Sequence, residues 1–282
     1  MKFVWLTIAL GCAAALAYFW WRSRSGPRDI ESALAEMLAN MFEAQGIKAS
    51  VDDNTVQAAG HRVRLDPMLE NILQNAHGYT VGVAVEIVLD GVRRPSLTVG
   101  TIGVAAEDEG AALTQAFEEW GALCGLSLVA ALGHDAIVDP VEGLPEPRPA
   151  GDHIVFPGLI GTRGDSPELS DALGDEPAAA ILGVLQDDLL ARFSDGRAAY
   201  HGVLINVAID GDEREEHCLV DGEHAPEVGQ QVLALPWPEG TYMFKQFYLF
   251  VRDEVTAASL VGAAAPSATA SGDRPSASAD SD

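Results

Sequence analysis

The run Tyr79-Thr-Val-Gly-Val-Ala-Val-Glu-Ile-Val-Leu-Asp-Gly91 leaves the chain few ways to fold. Tyr79, Val81, Val83, Val85, Ile87 and Leu89 recur at every second position, which sets them on one face of a strand that needs a core beneath it. Asp90-Gly91 closes the run with the pair that a tight primed turn favours, because both central positions need positive φ. The chain then returns through Leu97, Val99 and Ile102. From Asp108 to Leu123 the period changes, and Leu113, Phe117, Trp120 and Leu123 fall at helical spacing. The expectation is a β-hairpin with a helix laid over its apolar face. That makes the fold class α+β, built from antiparallel β-hairpins packed with amphipathic helices.

The same reading extends along the chain. Ile30, Leu34, Met37, Leu38, Met41 and Phe42 form a helical stripe that ends at Gly46, where a C-cap belongs. Residues 47–65 read as short strands turning at Asp52-Asp-Asn54 and Gly60. Asp66-Pro67 has the form of an N-cap and first helical position, which predicts a helix to about Ala76. The apolar run Leu126 to Leu132 extends the helix or buries a short element. Between residues 133 and 151 lie Pro140, Pro145, Pro147 and Pro149, read as a linker between a lobe at 29–132 and a lobe at 152–262. In the second lobe His153 to Ile160 reads as a strand, Pro177 to Phe193 as a helix, and Tyr200 to Asp210 as a strand turning at Asp210-Gly211. Glu215 to Val220 returns, a short helix follows near Val228 to Leu235, and Thr241 to Arg252 is an aromatic strand. Tyr242, Phe244, Tyr248 and Phe250 share one of its faces, and Met243, Phe247 and Leu249 the other, as in a strand covered on both sides. Helix, hairpin, helix recurs in both halves, an arrangement of two similar lobes. The tail at 263–282 is Ala, Ser, Pro, Gly and Asp and is expected to be disordered.

At the amino end, Phe3 to Trp21 carries no charge over nineteen residues, enough to cross a bilayer as a helix. Trp5 near one end and Tyr18, Trp20 and Trp21 near the other suit the two interfaces. A cleavable signal ending at Ala15-Leu-Ala17 and a lipoprotein box at Ala9-Leu-Gly-Cys12 are the alternatives. Bulky Tyr18-Phe-Trp-Trp21 running on into Arg22, Arg24 and Arg28 favours the anchor. The division is an anchor at 1–22, a linker at 23–28, and a single-pass protein of the cell (inner) membrane. The arginines after the span lean the bulk domain towards the cytoplasm.

Charge narrows the partners. The formal net charge is -25, with lysine only at Lys2, Lys48 and Lys245, and the acids read as spread along the chain. Such a field repels a phosphate backbone, so nucleic acid is not an expected partner. It suits solubility, or electrostatic capture of a basic protein. Cys12, Cys124 and Cys218 give no disulfide framework, and Cys124 reads as a small buried hydrophobe.

Chemistry is sparse. His217-Cys-Leu-Val-Asp-Gly-Glu-His224 carries the ligand types of a zinc site, with His217, Asp221 and His224 as weak metal candidates. On a strand His217 and Cys218 point to opposite faces, and the spacing matches no closed zinc motif. Gly158, Gly161 and Gly164 make a G-x-x-G-x-x-G loop that a tight backbone turn explains better than a phosphate cradle, since Arg163 is the only local cation. His134, Asp135 and His153, with Cys124 or Ser166, have no fixed mutual geometry. No G-x-S-x-G elbow, H-E-x-x-H, Walker or dinucleotide pattern occurs. No catalytic residue and no cofactor is assigned.

Val81-Gly-Val-Ala-Val-Glu-Ile87, the Asp90-Gly91 turn, Phe156-Pro-Gly-Leu-Ile-Gly-Thr-Arg-Gly164 and Leu235-Pro-Trp-Pro-Glu-Gly-Thr-Tyr242 resemble motifs of a bacterial family of unknown function, over about residues 30–254. The resemblance implies the architecture and assigns no reaction. The functional expectation is a membrane-anchored acidic protein-interaction module, an immunity-like binder of a basic partner being one form. The alternative is a metal-dependent or other hydrolase using His217 to His224.

Overall fold

Helix α1 (Ile30–Ala44) turns Leu34, Leu38 and Phe42 inward and stops where Gly46 takes a φ of 75°. The computed structural model describes residues 30–252 apart from 76–77, 105, 107, 135–145, 159–160, 165–172, 174–176, 195–197, 199 and 238–239. The expected anchor at Phe3–Trp21, the linker at 23–28, residues 135–145 of the proline-rich segment and the tail at 263–282 lie outside the described residues.

Five antiparallel strands follow in chain order as one sheet: β1 (Ala49–Asp52), β2 (Thr55–Ala58), β3 (His61–Asn75), β4 (Gly78–Leu89) and β5 (Val92–Val104). Its hairpin is the expected one. Val81, Val83, Val85, Ile87 and Leu89 are all buried, and Asp90 and Gly91 turn with φ of 51° and 82°. The helix expected to begin at Asp66 is not there, because residues 66–75 continue β3, which pairs with β4. Asp66 caps nothing: its carboxylate accepts from Arg64 Nε and Nη2 at 2.7 and 2.9 Å along the same strand. Pro67 is admitted because β2 pairs no further than Thr55 opposite Arg64, so this part of β3 is an edge with one flank carrying no ladder among the described residues.

Helix α2 (Glu109–Trp120) starts on Asp108, whose carboxylate accepts from the Ala111 amide at 2.8 Å. It runs through a π-helical turn (Gly121–Gly125) into α3 (Leu126–Gly133). Together these are long and apolar enough to cross a membrane, yet 72% of the apolar window is buried inside the fold. Trp120 lies against β5, donating its indole N–H to Leu97 O at 3.2 Å.

The second sheet contains β6 (Arg148–Ala150), β7 (His153–Pro157), β8 (Gly161–Gly164), β9 (Tyr200–Asp210), β10 (Glu213–Glu216), β11 (Leu219–Val220), β12 (Glu223–His224) and β13 (Thr241–Arg252). Its order is β12-β11-β9-β13-β7-β6, with β10 also on β9 and β8 on β13. Strand β13 is central, as its two apolar faces require. Phe247, Leu249 and Val251 join the core beneath α1, α2, α3 and the first sheet. Phe244, Tyr248 and Phe250 join a second core under α4 (Pro177–Phe193) and α5 (Pro226–Leu233). One core therefore takes side chains from both sheets, and the other closes the outer face of the second.

Glycine sits at 158 for contact rather than for anion binding. A Cβ there would overlap the Leu123 carbonyl, where the π-turn meets the end of β7. Cys124 and Cys218 are both buried free thiols.

Candidate functional site

The segment from His217 to His224 is laid out by one tight turn, Asp221-Gly222 between β11 and β12, with the His217 amide donating to Asn206 O of β9 at 2.8 Å. Glu216 ends β10 and its carboxylate turns back under α5, accepting from the Cys218 amide at 3.1 Å. A side chain at Gly229 of α5 would collide with that carboxylate, so glycine opens the space for it. His217 and His224 stack with ring centroids 5.5 Å apart, and His224 Nε2 lies 3.3 Å from Glu216 Oε1. Cys218 points inward, and burial pushes its thiol up to about 12. Such a thiol is inert at neutral pH.

Asp221 faces away from this pair. At the β11–β12 turn it has a φ of 52°, and its carboxylate reaches β9, where Oδ2 is 2.7 Å from His201 Nδ1 and Oδ1 accepts from the Gly202 amide at 2.9 Å. The structure thus brings His217, His224 and Glu216 together and engages Asp221 elsewhere. Among the described residues no group of three or more His, Cys, Asp or Glu is arranged to hold a metal ion. Of the other residues weighed from sequence, His134 packs edge-on against Phe156, Cys124 lies in the first core, and Asp135 and Ser166 fall outside the described residues.

The Asp221 arrangement has a twin. At the β4–β5 turn Asp90 has a φ of 51°, accepts from the Arg62 amide at 2.8 Å, lies 3.2 Å from His61 Nδ1, and donates its own amide to Arg62 O at 2.8 Å. Asp221 donates its amide to Gly202 O at 2.7 Å in the same way. Each half therefore locks an Asp-Gly turn to a His at the start of the neighbouring strand. The sequence shows both Asp-Gly pairs and both histidines, but not that they meet.

His201 belongs to a cluster that sequence reasoning missed. It stands opposite Phe250 on β13, and His153 of β7 stands opposite Arg252, so all four share the face turned towards α4. Phe193, the last residue of α4, stacks on His201 at 4.0 Å with the planes 3° apart. His153 is 6.2 Å from His201 and 6.0 Å from Phe193, ring centre to ring centre. Only the three-strand pairing through β13 joins residues so far apart in the chain.

The acids are spread along the sequence, and the fold leaves their excess on the helices and the β9–β10 hairpin rather than on the first sheet. From residue 47 to 104, Asp52, Asp53, Asp66, Glu70, Glu86 and Asp90 are balanced by Lys48, Arg62, Arg64, Arg93 and Arg94. From α4 to α5 the balance fails. Asp187, Asp188, Asp212, Glu213, Glu215, Glu223 and Glu227 are exposed there, with Arg192 and Arg214 as the described cations. Arg192 is paired with Glu227 at 2.6 Å, and Arg214 donates to Leu233 O at 2.7 Å. The β9–β10 hairpin and the adjoining helices form one strongly negative side.

Residues 50–252 match the model of a family of unknown function, DUF6348, and the chain belongs to that family. The family description names no activity. No curated protein matches the chain.

Proposed function

We propose that this member of the DUF6348 family is a membrane-tethered interaction module whose acidic side engages a basic protein partner. The observation that carries the reading is the concentration of exposed carboxylates on α4, α5 and the β9–β10 hairpin, set against a first sheet whose charges nearly cancel. A local excess of this kind steers a positively charged partner towards that face and raises its rate of encounter. The uncharged Phe3–Trp21 segment supplies the tether, holding the domain at the inner face of the cell membrane. Neutralisation of a basic toxin, in the manner of an immunity protein, is one form the role takes.

The test is a charge reversal on the tethered chain. The full-length protein and a D212K/E213K/E215K variant are expressed in the native membrane, crosslinked, and their partners identified. The reading expects a basic partner held by the wild type and lost by the variant, with binding that weakens as salt rises. A partner set unchanged by the reversal overturns it. So does a purified chain carrying one zinc per molecule that is lost on replacing His217 and His224. Alkaline carbonate extraction checks the tether separately: release of the chain from the membrane pellet removes the membrane part of the proposal.

A further inference from the structure

We propose that His153 is a proton-operated latch for the carboxyl-terminal turn of α4. His153 is only 2% exposed, at the end of the second sheet. Its Nδ1 is 2.7 Å from Asp152 Oδ1 in the β6–β7 turn, and a carboxylate only accepts, so Nδ1 carries the hydrogen. Its Nε2 is buried with no partner, and the same is true of His201 Nε2. The ring is boxed by Phe193 of α4 at 6.0 Å, His201 of β9 at 6.2 Å and Phe250 of β13 at 6.4 Å.

The charged groups facing it come from three elements: Asp152 from the turn beside it, His201 from β9 and Arg252 from β13. Arg252 Nη2 donates to Phe193 O at 3.2 Å, so a cation already sits at the end of α4. A proton on Nε2 would place a second charge in an apolar box beside that cation, with no acceptor to receive the new N–H. Burial, opposed by Asp152 and reinforced by His201 and Arg252, holds the imidazole below its usual range.

The neutral ring therefore lets Phe193 seat, and the protonated ring favours states in which α4's last turn has lifted and water reaches Nε2. The sign follows from linkage. A histidine whose folded value is depressed contributes stability that is complete above its ordinary value, about 6.5, and lost as pH falls from there through the folded value.

The experiment is hydrogen exchange on the full-length chain between pH 7.5 and 5.0, corrected for intrinsic rates and read over residues 177–193. Protection of the last turn should fall about tenfold for each pH unit below about 6.5 and level off once pH has passed the folded value, ahead of the buried β13 amides. Asp152→Asn removes an exposed carboxylate that favours the proton in the folded state, so the levelling-off should move to lower pH while the onset stays near 6.5. His153→Gln should abolish the response. Protection that does not change with pH, or an Asp152→Asn levelling-off that stays put or rises, overturns the latch. If His153→Gln fails to fold, the direction of the Asp152→Asn shift still decides the matter.

Discussion

Two glycines make opposite demands on their neighbours. A methyl group at Gly158 would meet the Leu123 carbonyl, which belongs to helix backbone and cannot swing aside. A methyl at Gly121 would meet the end of the Met37 side chain, which can. Gly158→Ala should therefore lower unfolding free energy by about 1–3 kcal/mol, and Gly121→Ala by less than about 1 kcal/mol, measured by chemical denaturation. Neither glycine announces its role in sequence: the G-x-x-G-x-x-G spacing around 158 suggests a tight backbone turn, and only the position of Leu123 shows the close contact that requires glycine there. Asp66 is a similar case: a helix cap by its neighbours, an ion-paired strand residue by its geometry. Its hydrogen bond from Arg64, and then that cation's charge, hold the carboxyl below the usual range. The stability it contributes is present above the ordinary carboxylate range and lost as pH falls through the lowered value. Asp66→Asn should flatten the acid limb of the stability profile below about pH 4, with a loss at neutral pH no larger than about 1 kcal/mol, because the pair is partly exposed.

Elements were legible where periodicity and burial agree. Strand β4 buries Val81, Val83, Val85, Ile87 and Leu89, and helices α1, α2 and α4 bury most of the residues that their spacing marked, Ile30 being exposed and Met37, Met41, Leu113 and Leu190 half-buried. β3 was not legible beyond Leu65, because Met68, Leu69 and Leu73 are exposed there and carry no core signal. The decision between helix and strand then falls to pairing with β4, which is non-local. β13 shows the reverse, an element whose place follows from its composition. Phe247 is 1% exposed and fills the core that both sheets share, whereas Met243 is 41% exposed. Phe247→Ala should cost about 3–5 kcal/mol by chemical denaturation, and Met243→Ala no more than about 0.5 kcal/mol.

At the scale of the whole molecule, an Asp-Gly turn is locked to a histidine of the neighbouring strand twice, in the Asp90–His61 and Asp221–His201 pairs. The candidate site follows local charge: the first sheet is near neutral, while α4, α5 and the β9–β10 hairpin carry an excess of carboxylates. Composition alone hid this, because a net value of -25 says nothing of where the carboxylates lie once α4, α5 and β10 pack together. Crowded like charges destabilise the compact state, and salt relieves the strain. Replacing Asp212, Glu213 and Glu215 by lysine turns local repulsion into attraction, each exposed pair being worth about 0.2–1 kcal/mol. The variant should therefore melt no lower than the wild type at low ionic strength, and the difference should shrink as salt is added. Function should move the other way, because the same carboxylates attract the basic partner. Thermal melts and crosslinking on one variant would then report opposite signs, a result that a purely structural role for these residues does not produce. Loss of both stability and partner would instead make the hairpin's acids part of the fold.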